Sequence, residues 1–414
     1  MLVGTSVTEI TPTPGVELSG FAIRTQPSDQ ILDPLHCKVI YLESGMLKIF
    51  WLQLDLIGIE MSFVQKVRLR LSSKFNIPAT NFIISATHTH SGPGTLPLNF
   101  CGEYRPDYLL ALENVLEDCC EKATENREAC LPMFGKLHFE LAIDRRENDN
   151  NNIDPYLKYM AWIRPDKTIK AVLWNYAMHP VCLKGTGISA DYPGIVGDEI
   201  SNNLPGEPLS VFGLGACGNI NPPEMGVAYS KMTLWAKKIA LALTDDIVTR
   251  LTAFKSLADG LQIRNNVIHV KTTLLSQGDI TTYAKKYYED AAAIREFGPV
   301  FLKAIEKWED NMKLKIVRQG SELPIEIFCL TIGDTKILGV SAEVFSSLAK
   351  LWDQGTDEKI MIITCVNGAQ GYFPDVRSYD GGGYETDTSC FFYNLLPPRA
   401  GSLEEVADGL FELI

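Results

Sequence analysis

Three histidines stand in polar segments that directly follow apolar, strand-like runs of the sequence. His88 and His90 form a His-x-His pair within segment 85–94, and His179 lies within segment 175–180. Two residues that flank a single position project to the same side of an extended chain. Imidazole is also the commonest protein ligand for zinc, and a catalytic zinc typically takes three protein ligands. The pattern predicts a metal site. The alternative is that each imidazole simply bonds a backbone carbonyl oxygen.

A glycine-rich segment, 213–218, fits the Gly-x-Gly-x-x-Gly fingerprint of dinucleotide sites and comes after another strand-like run. Such a site needs a helix that opens at the glycines and an acidic residue about 20 positions later. Here segment 219–223 ends in two prolines and cannot start a helix, and position 238 is a lysine. We therefore exclude a nucleotide site and predict a loop whose backbone amides approach a substrate. The sequence contains no Gly-x-Ser-x-Gly motif, so it does not indicate a serine triad.

Strand and helix patterns mix along the whole chain. Apolar runs rich in Val, Ile, Phe and Leu predict strands at 47–56, 81–87, 136–143, 168–176, 209–214, 260–275, 325–340 and 359–366. Helical periodicity predicts helices at 62–74, 107–126, 229–250, 283–313, 343–352 and 402–414, the last with Ser402 and Glu405 as a capping box. The predicted fold class is α/β, with mixed sheets and helices. We predict a single domain over residues 1–414, with a helical insertion around 276–315.

The composition restricts the expected partners and compartment. The 414 residues carry 38 basic and 51 acidic side chains, a formal net charge of −13. Nucleic acid and anionic lipid repel an acidic protein, so neither is an expected partner. No stretch is long and apolar enough for a transmembrane segment, and the N-terminus does not have the pattern of a signal peptide. Ten cysteines without a Cys-x-x-Cys pair indicate reduced thiols that pack in the core, which predicts a cytoplasmic protein.

Several of these segments together resemble the catalytic domain of the neutral/alkaline, non-lysosomal ceramidases, which are zinc-dependent amidases. The matching segments are 87–94, 175–180, 218–222, 339–345 and the loop from 371–372 to 384–385. Segment 4–20 is similar to the first strand and loop of the family. The resemblance extends to about residue 400, so it covers nearly the whole chain. It implies that the partner is a small-molecule or lipid N-acyl amide such as ceramide.

The resemblance also implies roles for individual side chains. It implies one zinc ion per chain, held by His88, His179, Glu343 and Tyr372, with Glu343 at the start of a helix. It implies that His90 and Tyr384 face the substrate carbonyl or its oxyanion, with Arg145, or alternatively Arg146, near the site. Without the resemblance, Glu343 would be a simple acid at a helix N-terminus and the two tyrosines would be loop aromatics. Asp55, at the end of a predicted strand, is either a partner of a zinc histidine or a helix cap.

The chain departs from the family pattern in two respects. Asn221 stands where the family has a serine that is important for activity, and asparagine can donate a hydrogen bond but cannot act as a nucleophile. The sequence also shows neither the C-terminal immunoglobulin-like domain nor the signal peptide of the secreted members. We therefore predict a zinc-dependent amidohydrolase in which Asn221 orients the substrate. The alternatives are a zinc hydrolase of a different amide or ester and a metal-binding homologue without catalytic activity.

Overall fold

The computed structural model describes residues 1–22, 24–146, 153–254, 260–292, 298–353 and 359–414. The strands are β1 (Leu2–Glu9), β2 (Gln30–Ile31), β3 (His36–Ser44), β4 (Leu47–Leu54), β5 (Phe82–Ala86), β6 (Glu128–Ala129), β7 (Leu131–His138), β8 (Ile143–Asp144), β9 (Tyr156–Ile163), β10 (Ile169–Tyr176), β11 (Gly187–Ile188), β12 (Leu209–Leu214), β13 (Ile220–Asn221), β14 (Leu261–Lys271), β15 (Glu322–Ile332), β16 (Thr335–Val340), β17 (Glu343–Val344), β18 (Lys359–Ile363) and β19 (Tyr372–Phe373). The helices are α1 (Met61–Phe75), α2 (Pro106–Glu125), α3 (Asp191–Asn203), α4 (Tyr229–Thr252), α5 (Gln277–Ala292), α6 (Gly298–Gln319), α7 (Ser347–Asp353), α8 (Ser389–Tyr393) and α9 (Ser402–Leu413).

The described strands form three larger sheets and three two-stranded ones, and together with the helices they confirm the predicted mixed α/β class. The three larger sheets organise the fold. The first sheet has the order β5-β4-β3-β1-β6, the second β12-β10-β9-β7 and the third β14-β15-β16-β18. Each sheet contains one parallel pair: β4 with β5, β10 with β12, and β16 with β18. The carboxyl ends of parallel neighbours lie at the same edge of a sheet, where the loops that come after them face a common crevice. The loops after these six strands can therefore converge.

A shared apolar core lies between the three sheets. It contains Trp51 of the first sheet, Leu173 of the second and Phe328 of the third, each at most 2% exposed. The Trp51 and Phe328 rings meet edge to face at 6.1 Å. The opposite face of each sheet is covered by helices: α1 and α2 on the first, α3 and α4 on the second, and α5, α6 and α9 on the third. Strands buried on both faces are continuous apolar runs, which explains why the sequence shows them so clearly.

Most predicted elements are confirmed, and the differences have local causes. The predicted strand 325–340 is two strands, β15 and β16, because Gly333 turns the chain with a φ of 62°. The strand predicted at 136–143 is displaced, since β7 ends at His138. The helix predicted at 343–352 is wrong at its start, because Glu343 begins β17 and α7 begins only at Ser347. Pairing with β19 satisfies the backbone there, so no helix is needed to do so.

The helix predicted at 283–313, within the helical insertion predicted around 276–315, corresponds to parts of two helices, α5 and α6, and its residues 293–297 lie outside the described residues. Trp308 of α6 packs edge to face on Phe391 of α8, with ring centroids 4.9 Å apart, and both belong to the apolar cluster beside the third sheet. The capping box predicted at the start of α9 is wrong, because Ser402 is buried and Gly401 holds the cap position. Glu405 instead pairs with Arg399.

The structure confirms that the cysteines pack in the core. All ten cysteines lie among the described residues, and each is buried and unpaired. Most of them serve as small apolar core residues. None of the helices in the described ranges combines the length and apolar composition that crossing a bilayer requires.

Candidate metal centre

Three side chains from the three sheets meet just beyond the carboxyl ends of parallel strands. His88 comes after β5, His179 after β10 and Glu343 after β16. Nε2 of His179 lies 3.0 Å, and Nε2 of His88 3.3 Å, from the same carboxylate oxygen, Oε2 of Glu343. All three residues are at most 1% exposed. The fold thus gathers two imidazole nitrogens and a carboxylate oxygen around one point that is shielded from bulk solvent.

The outer nitrogen of each imidazole is held by a backbone carbonyl group. Nδ1 of His88 lies 2.5 Å from the carbonyl oxygen of Ile57, and Nδ1 of His179 lies 2.8 Å from that of Cys217. Because a carbonyl oxygen only accepts hydrogen bonds, this arrangement favours the proton on Nδ1 and the lone pair on Nε2. If both imidazoles are neutral, their two lone pairs face a carboxylate oxygen, and a metal ion or a proton between these atoms is needed to offset the repulsion. The donor set therefore fits a divalent metal ion such as zinc.

The electrostatics of the cluster also favour a positive charge between these groups. Burial by itself lowers the pKa of His88, yet the Glu343 carboxylate raises that pKa well above its ordinary value. Burial would raise the pKa of Glu343, but His88 and His179 hold it well below the usual range, so the carboxylate is ionised. Burial lowers the pKa of His179, which leaves this imidazole neutral. The Glu343 carboxylate and the His179 imidazole therefore have the protonation states that metal ligands need, whereas the positive charge that Glu343 favours on His88 would be replaced by that of a bound ion.

Two tyrosines surround the Glu343 carboxylate. Tyr372 is the register partner of Glu343 in the parallel pair β17–β19, and its hydroxyl oxygen lies 3.3 Å from Nε2 of His179. The Tyr393 hydroxyl donates a hydrogen bond to the other carboxylate oxygen, Oε1 of Glu343. Burial and the nearby Glu343 charge raise the pKa of both phenols. Tyr393 therefore holds the carboxylate from one side, and Tyr372 lies beside His179. The role of Tyr372 as a fourth ligand stays a prediction.

His90 is the most accessible imidazole of the group. Its Nε2 lies 3.3 Å from Nε2 of His88, and its Nδ1 is buried without a hydrogen-bond partner among the described residues. Burial and the neighbouring His88 lower the pKa of His90 well below the ordinary value, so the ring is neutral and can donate one hydrogen bond. The ligand nitrogens of His88, His90 and His179 all lie within 4.8 Å of one another. His90 is thus placed either to contact a substrate, as the sequence predicts, or to act as a further ligand.

Arg145 and Arg146 share a single carboxylate. Nε of Arg145 lies 2.7 Å from Oε1 of Glu385, and Nη1 of Arg146 lies 2.5 Å from Oε2. The Arg145 guanidinium also lies 5.4 Å from the ring centroid of Tyr372, whereas Arg146 donates to the carbonyl oxygen of Gly382. The resemblance leaves both arginines open, and the structure places Arg145 beside Tyr372.

The two remaining predicted site residues lie at the edge of the cluster. The Tyr384 ring is 5.6 Å from the Tyr372 ring and 41% exposed, so an incoming molecule can contact it. Oδ1 of Asn221 lies 3.5 Å from Nη1 of Arg145, and its Nδ2 lies 3.3 Å from Sδ of Met225. Asn221 is thus linked to the ligands through Arg145. Its predicted role in orienting the substrate stays a prediction.

The glycine-rich loop approaches the cluster through its backbone and leads into strand β13, not into a helix. A Cβ atom on Gly218 would lie 2.8 Å from the carbonyl oxygen of Glu343, closer than any side chain tolerates. The Gly218 N–H instead donates to the carbonyl oxygen of Val344 at 2.9 Å. The loop therefore supports the strand that carries Glu343, which agrees with the exclusion of a nucleotide site.

Sequence reasoning missed three residues of this region and misplaced one. Tyr393, Cys365 and Glu385 were not singled out, although Sγ of Cys365 lies 3.7 Å from Nδ1 of His88. The one signal that could have identified Glu385 is that it directly follows Tyr384, a predicted site residue, in the sequence. The proposed roles of Asp55 are wrong, because its carboxylate accepts hydrogen bonds from the backbone N–H of His36 and the side-chain amide of Gln53.

Comparison with solved structures identifies a clear relative in fold. Neutral ceramidase from Pseudomonas aeruginosa matches with a TM-score of 0.74 and 15% sequence identity, covering 100% of this chain and 73% of that one. The chain has the neutral ceramidase fold. A structure of a ceramidase complexed with C2 matches equally well, with a TM-score of 0.74, 15% identity and 98% of this chain covered. No model of a protein family and no curated protein matches the sequence. The likeness to ceramidases is therefore one of fold.

Proposed function

We propose that this protein is a zinc-dependent amidohydrolase that cleaves the amide bond of a ceramide-like N-acyl amine. The observation that carries the proposal is the convergence of His88, His179, Glu343 and Tyr372 on one point within a neutral ceramidase fold. Two imidazoles, a carboxylate and a phenol are side chains that zinc binds in proteins, and these four residues would hold the ion here. Zinc, when bound, supplies Lewis acidity that polarises a carbonyl group and acidifies water.

The reaction is the addition of water to the amide carbonyl carbon, followed by cleavage of the C–N bond. The amine leaves with a proton, and the acyl group leaves as a carboxylate. His90 and Tyr384 lie at the accessible side of the ligand cluster, where each can donate a hydrogen bond to the oxyanion that forms on the carbonyl oxygen. A donor placed in advance for such an oxyanion typically lowers the barrier by about 3 kcal/mol. Arg145 remains charged beside this position, because Tyr372 and Glu385 raise its pKa despite burial.

The asparagine at position 221 favours a second candidate function within the same reaction class. In this function the protein is a hydrolase of a different amide or of an ester. Asn221 occupies the position of the family serine, and its contacts are to Arg145 and Met225. A side-chain amide can hold a substrate group but cannot attack a carbonyl carbon. Substrate contacts on this side of the site therefore differ from those of an enzyme that has a serine there.

The experiment is metal analysis combined with a substrate panel. We expect about one zinc per chain in the wild-type protein, and loss of both zinc and hydrolysis in His88→Ala and His179→Ala. The matched control is His138→Ala, since His138 lies exposed at the end of β7. The panel compares a ceramide, shorter N-acyl amines and esters. Retention of zinc and turnover in both ligand variants would overturn the proposal, and zinc binding without turnover on any substrate would identify a non-catalytic homologue.

A further inference from the structure

The approach to His90 is bordered by two cations that have no carboxylate partner in the described part of the chain. The Phe21 ring packs on the His90 ring with centroids 5.0 Å apart. Two cations flank this same ring: the Arg24 guanidinium lies 5.2 Å, and the Lys184 ammonium 5.8 Å, from its centroid. Both His90 and Phe21 are partly exposed, so a molecule that contacts the Phe21 ring beside His90 comes near both positive charges.

Arg24 is held in place by neutral groups alone, as far as the described residues extend. Its Nη1 donates to the carbonyl oxygens of Leu18 and Ser19, at 3.0 and 3.2 Å, and its Nη2 donates to that of His90 at 3.0 Å. Its Nε is buried and has no hydrogen-bond partner there. Burial lowers the pKa of Arg24 to about 10, and no carboxylate opposes that shift. A largely buried guanidinium normally pairs with an anion, because burying an unpaired charge is costly.

Lys184 also has no carboxylate partner among the described residues. Its methylene stem lies close to Gly226, because a Cβ added to this glycine would be 3.1 Å from Cδ of the lysine. The ammonium group at the end of the stem lies near Phe21. Arg145 and Arg146 differ from these two cations, because Glu385 neutralises part of their charge. The chain has more acidic than basic side chains, with a formal net charge of −13. Two cations without a carboxylate partner beside one ring are therefore not a consequence of an excess of basic residues.

We propose that the substrate is an anionic N-acyl amine, whose carboxylate or phosphate group lies between Arg24 and Lys184 while the amide reaches the ligand cluster. This inference rests on the proposed function and narrows its substrate class. The Phe21 ring and the methylene stem of Lys184 supply the apolar surface beside the charged pair. An anionic group near the Arg24 guanidinium would compensate its charge, and hydrogen bonds to ionised groups are about twice as strong as neutral ones. A neutral ceramide would leave both cations unpaired.

The test compares three substrates with the same dodecanoyl chain: N-dodecanoylglycine, N-dodecanoylethanolamine phosphate and neutral N-dodecanoylethanolamine. We expect kcat/KM for at least one of the two anions to exceed that for the neutral amide by about tenfold or more. The preferred anion distinguishes a carboxylate from a phosphate. The preference is the ratio of kcat/KM for the anion to kcat/KM for the neutral amide. In Lys184→Met this ratio should fall about fivefold, mainly through a higher KM for the anion, and in Lys184→Glu it should fall further. Lys238→Met, an exposed lysine of α4, is the matched control and should leave the preference unchanged.

The outcomes separate this inference from the proposed function. Hydrolysis of the neutral amide as fast as both anions, or a Lys184→Met variant with an unchanged preference, overturns the inference and leaves the amidohydrolase intact. If neither these amides nor any member of the wider substrate panel is cleaved, the proposed function fails, and titration calorimetry with the three dodecanoyl compounds still decides the inference. Tighter binding of an anion that Lys184→Glu abolishes supports the anionic site, whereas equal binding of all three compounds overturns it. Arg24→Lys, which keeps the charge, should retain more of the preference than Arg24→Gln.

Discussion

Glu343 and Tyr372 are register partners in a parallel pairing of only two residues per strand. The pairing begins where the Glu343 N–H donates to the carbonyl oxygen of Gly371 at 2.8 Å. Partners at the same register of a sheet project to the same face. This short pairing therefore fixes a carboxylate and a phenol side by side. Both lie against His179, which comes from a distant part of the sequence.

Removing the Tyr372 hydroxyl is expected to weaken metal binding without unfolding the protein. In Tyr372→Phe the ring remains packed, and only the oxygen 3.3 Å from Nε2 of His179 is lost. We expect zinc affinity to fall at least about tenfold, measured by competition with a chelator. Tyr379→Phe is the matched control, since that hydroxyl donates to the carbonyl oxygen of Pro398 at 3.1 Å. If the two variants retain zinc equally well in competition with the chelator, Tyr372 is not a metal ligand.

Tyr393→Phe tests whether the hydrogen bond to Oε1 of Glu343 orients the carboxylate. Without this donor, the ionised carboxylate keeps its charge but loses a constraint on its direction. Partners of this kind typically contribute about 10- to 100-fold to metal affinity or activity. We expect a reduction of about tenfold in zinc affinity and a thermal unfolding midpoint close to that of the wild type. A loss of stability with unchanged zinc affinity would instead assign Tyr393 a purely structural role.

The sequence identified those site residues whose polarity contrasts with their surroundings. His88 and His179 are polar residues placed directly after buried strands, so their position at the crevice can be inferred from the end of each apolar run. Tyr393 comes after two phenylalanines in a short helix, and a tyrosine in such a setting is indistinguishable from a core aromatic. Its contact with Glu343 depends on tertiary packing, which local patterns do not contain.

The secondary structure around Glu343 also depends on tertiary contacts that local sequence patterns do not contain. Segment 343–352 contains helix-forming residues, and a helix is the local preference. Glu343 is nevertheless extended, because it pairs with β19 and its N–H donates to the carbonyl oxygen of Gly371. Strand pairs of two residues are also too short for a detectable alternation of polar and apolar positions.

Gly20 is expected to be required for the position of His90. An added Cβ would lie 2.4 Å from Nδ1 of His90, whereas at Gly15 an added Cβ would meet nothing within 4 Å. The two glycines have similar φ values, 104° and 108°, so Gly20→Ala and Gly15→Ala carry a similar backbone strain of about 1 kcal/mol. We expect kcat to fall at least tenfold in Gly20→Ala alone. Equal activity of the two variants would show that His90 can move without consequence.

Asp33 should make the protein less stable as pH rises. Its carboxylate accepts hydrogen bonds from the Ser189 hydroxyl and the Ala190 N–H, both at 2.6 Å, but burial raises its pKa to about 7. The nearby Asp191 has its pKa raised to about 6, also mainly by burial. Between about pH 4 and pH 7 the folded chain keeps a proton on Asp33 that the unfolded chain releases. The free energy of unfolding therefore falls across this range, by a few kcal/mol at about 1.4 kcal/mol per pH unit.

Asp33→Asn removes this titration while keeping a side-chain oxygen that accepts one hydrogen bond. Urea unfolding at several pH values between 4.5 and 8 should show a smaller loss of stability in the variant than in the wild type. Any pH dependence that arises from metal binding is common to both proteins and cancels in the difference. Asp29→Asn, at an exposed position, is the control and should behave like the wild type. If Asp33→Asn shows the wild-type slope instead, burial of the Asp33 carboxyl does not affect its protonation in the folded chain.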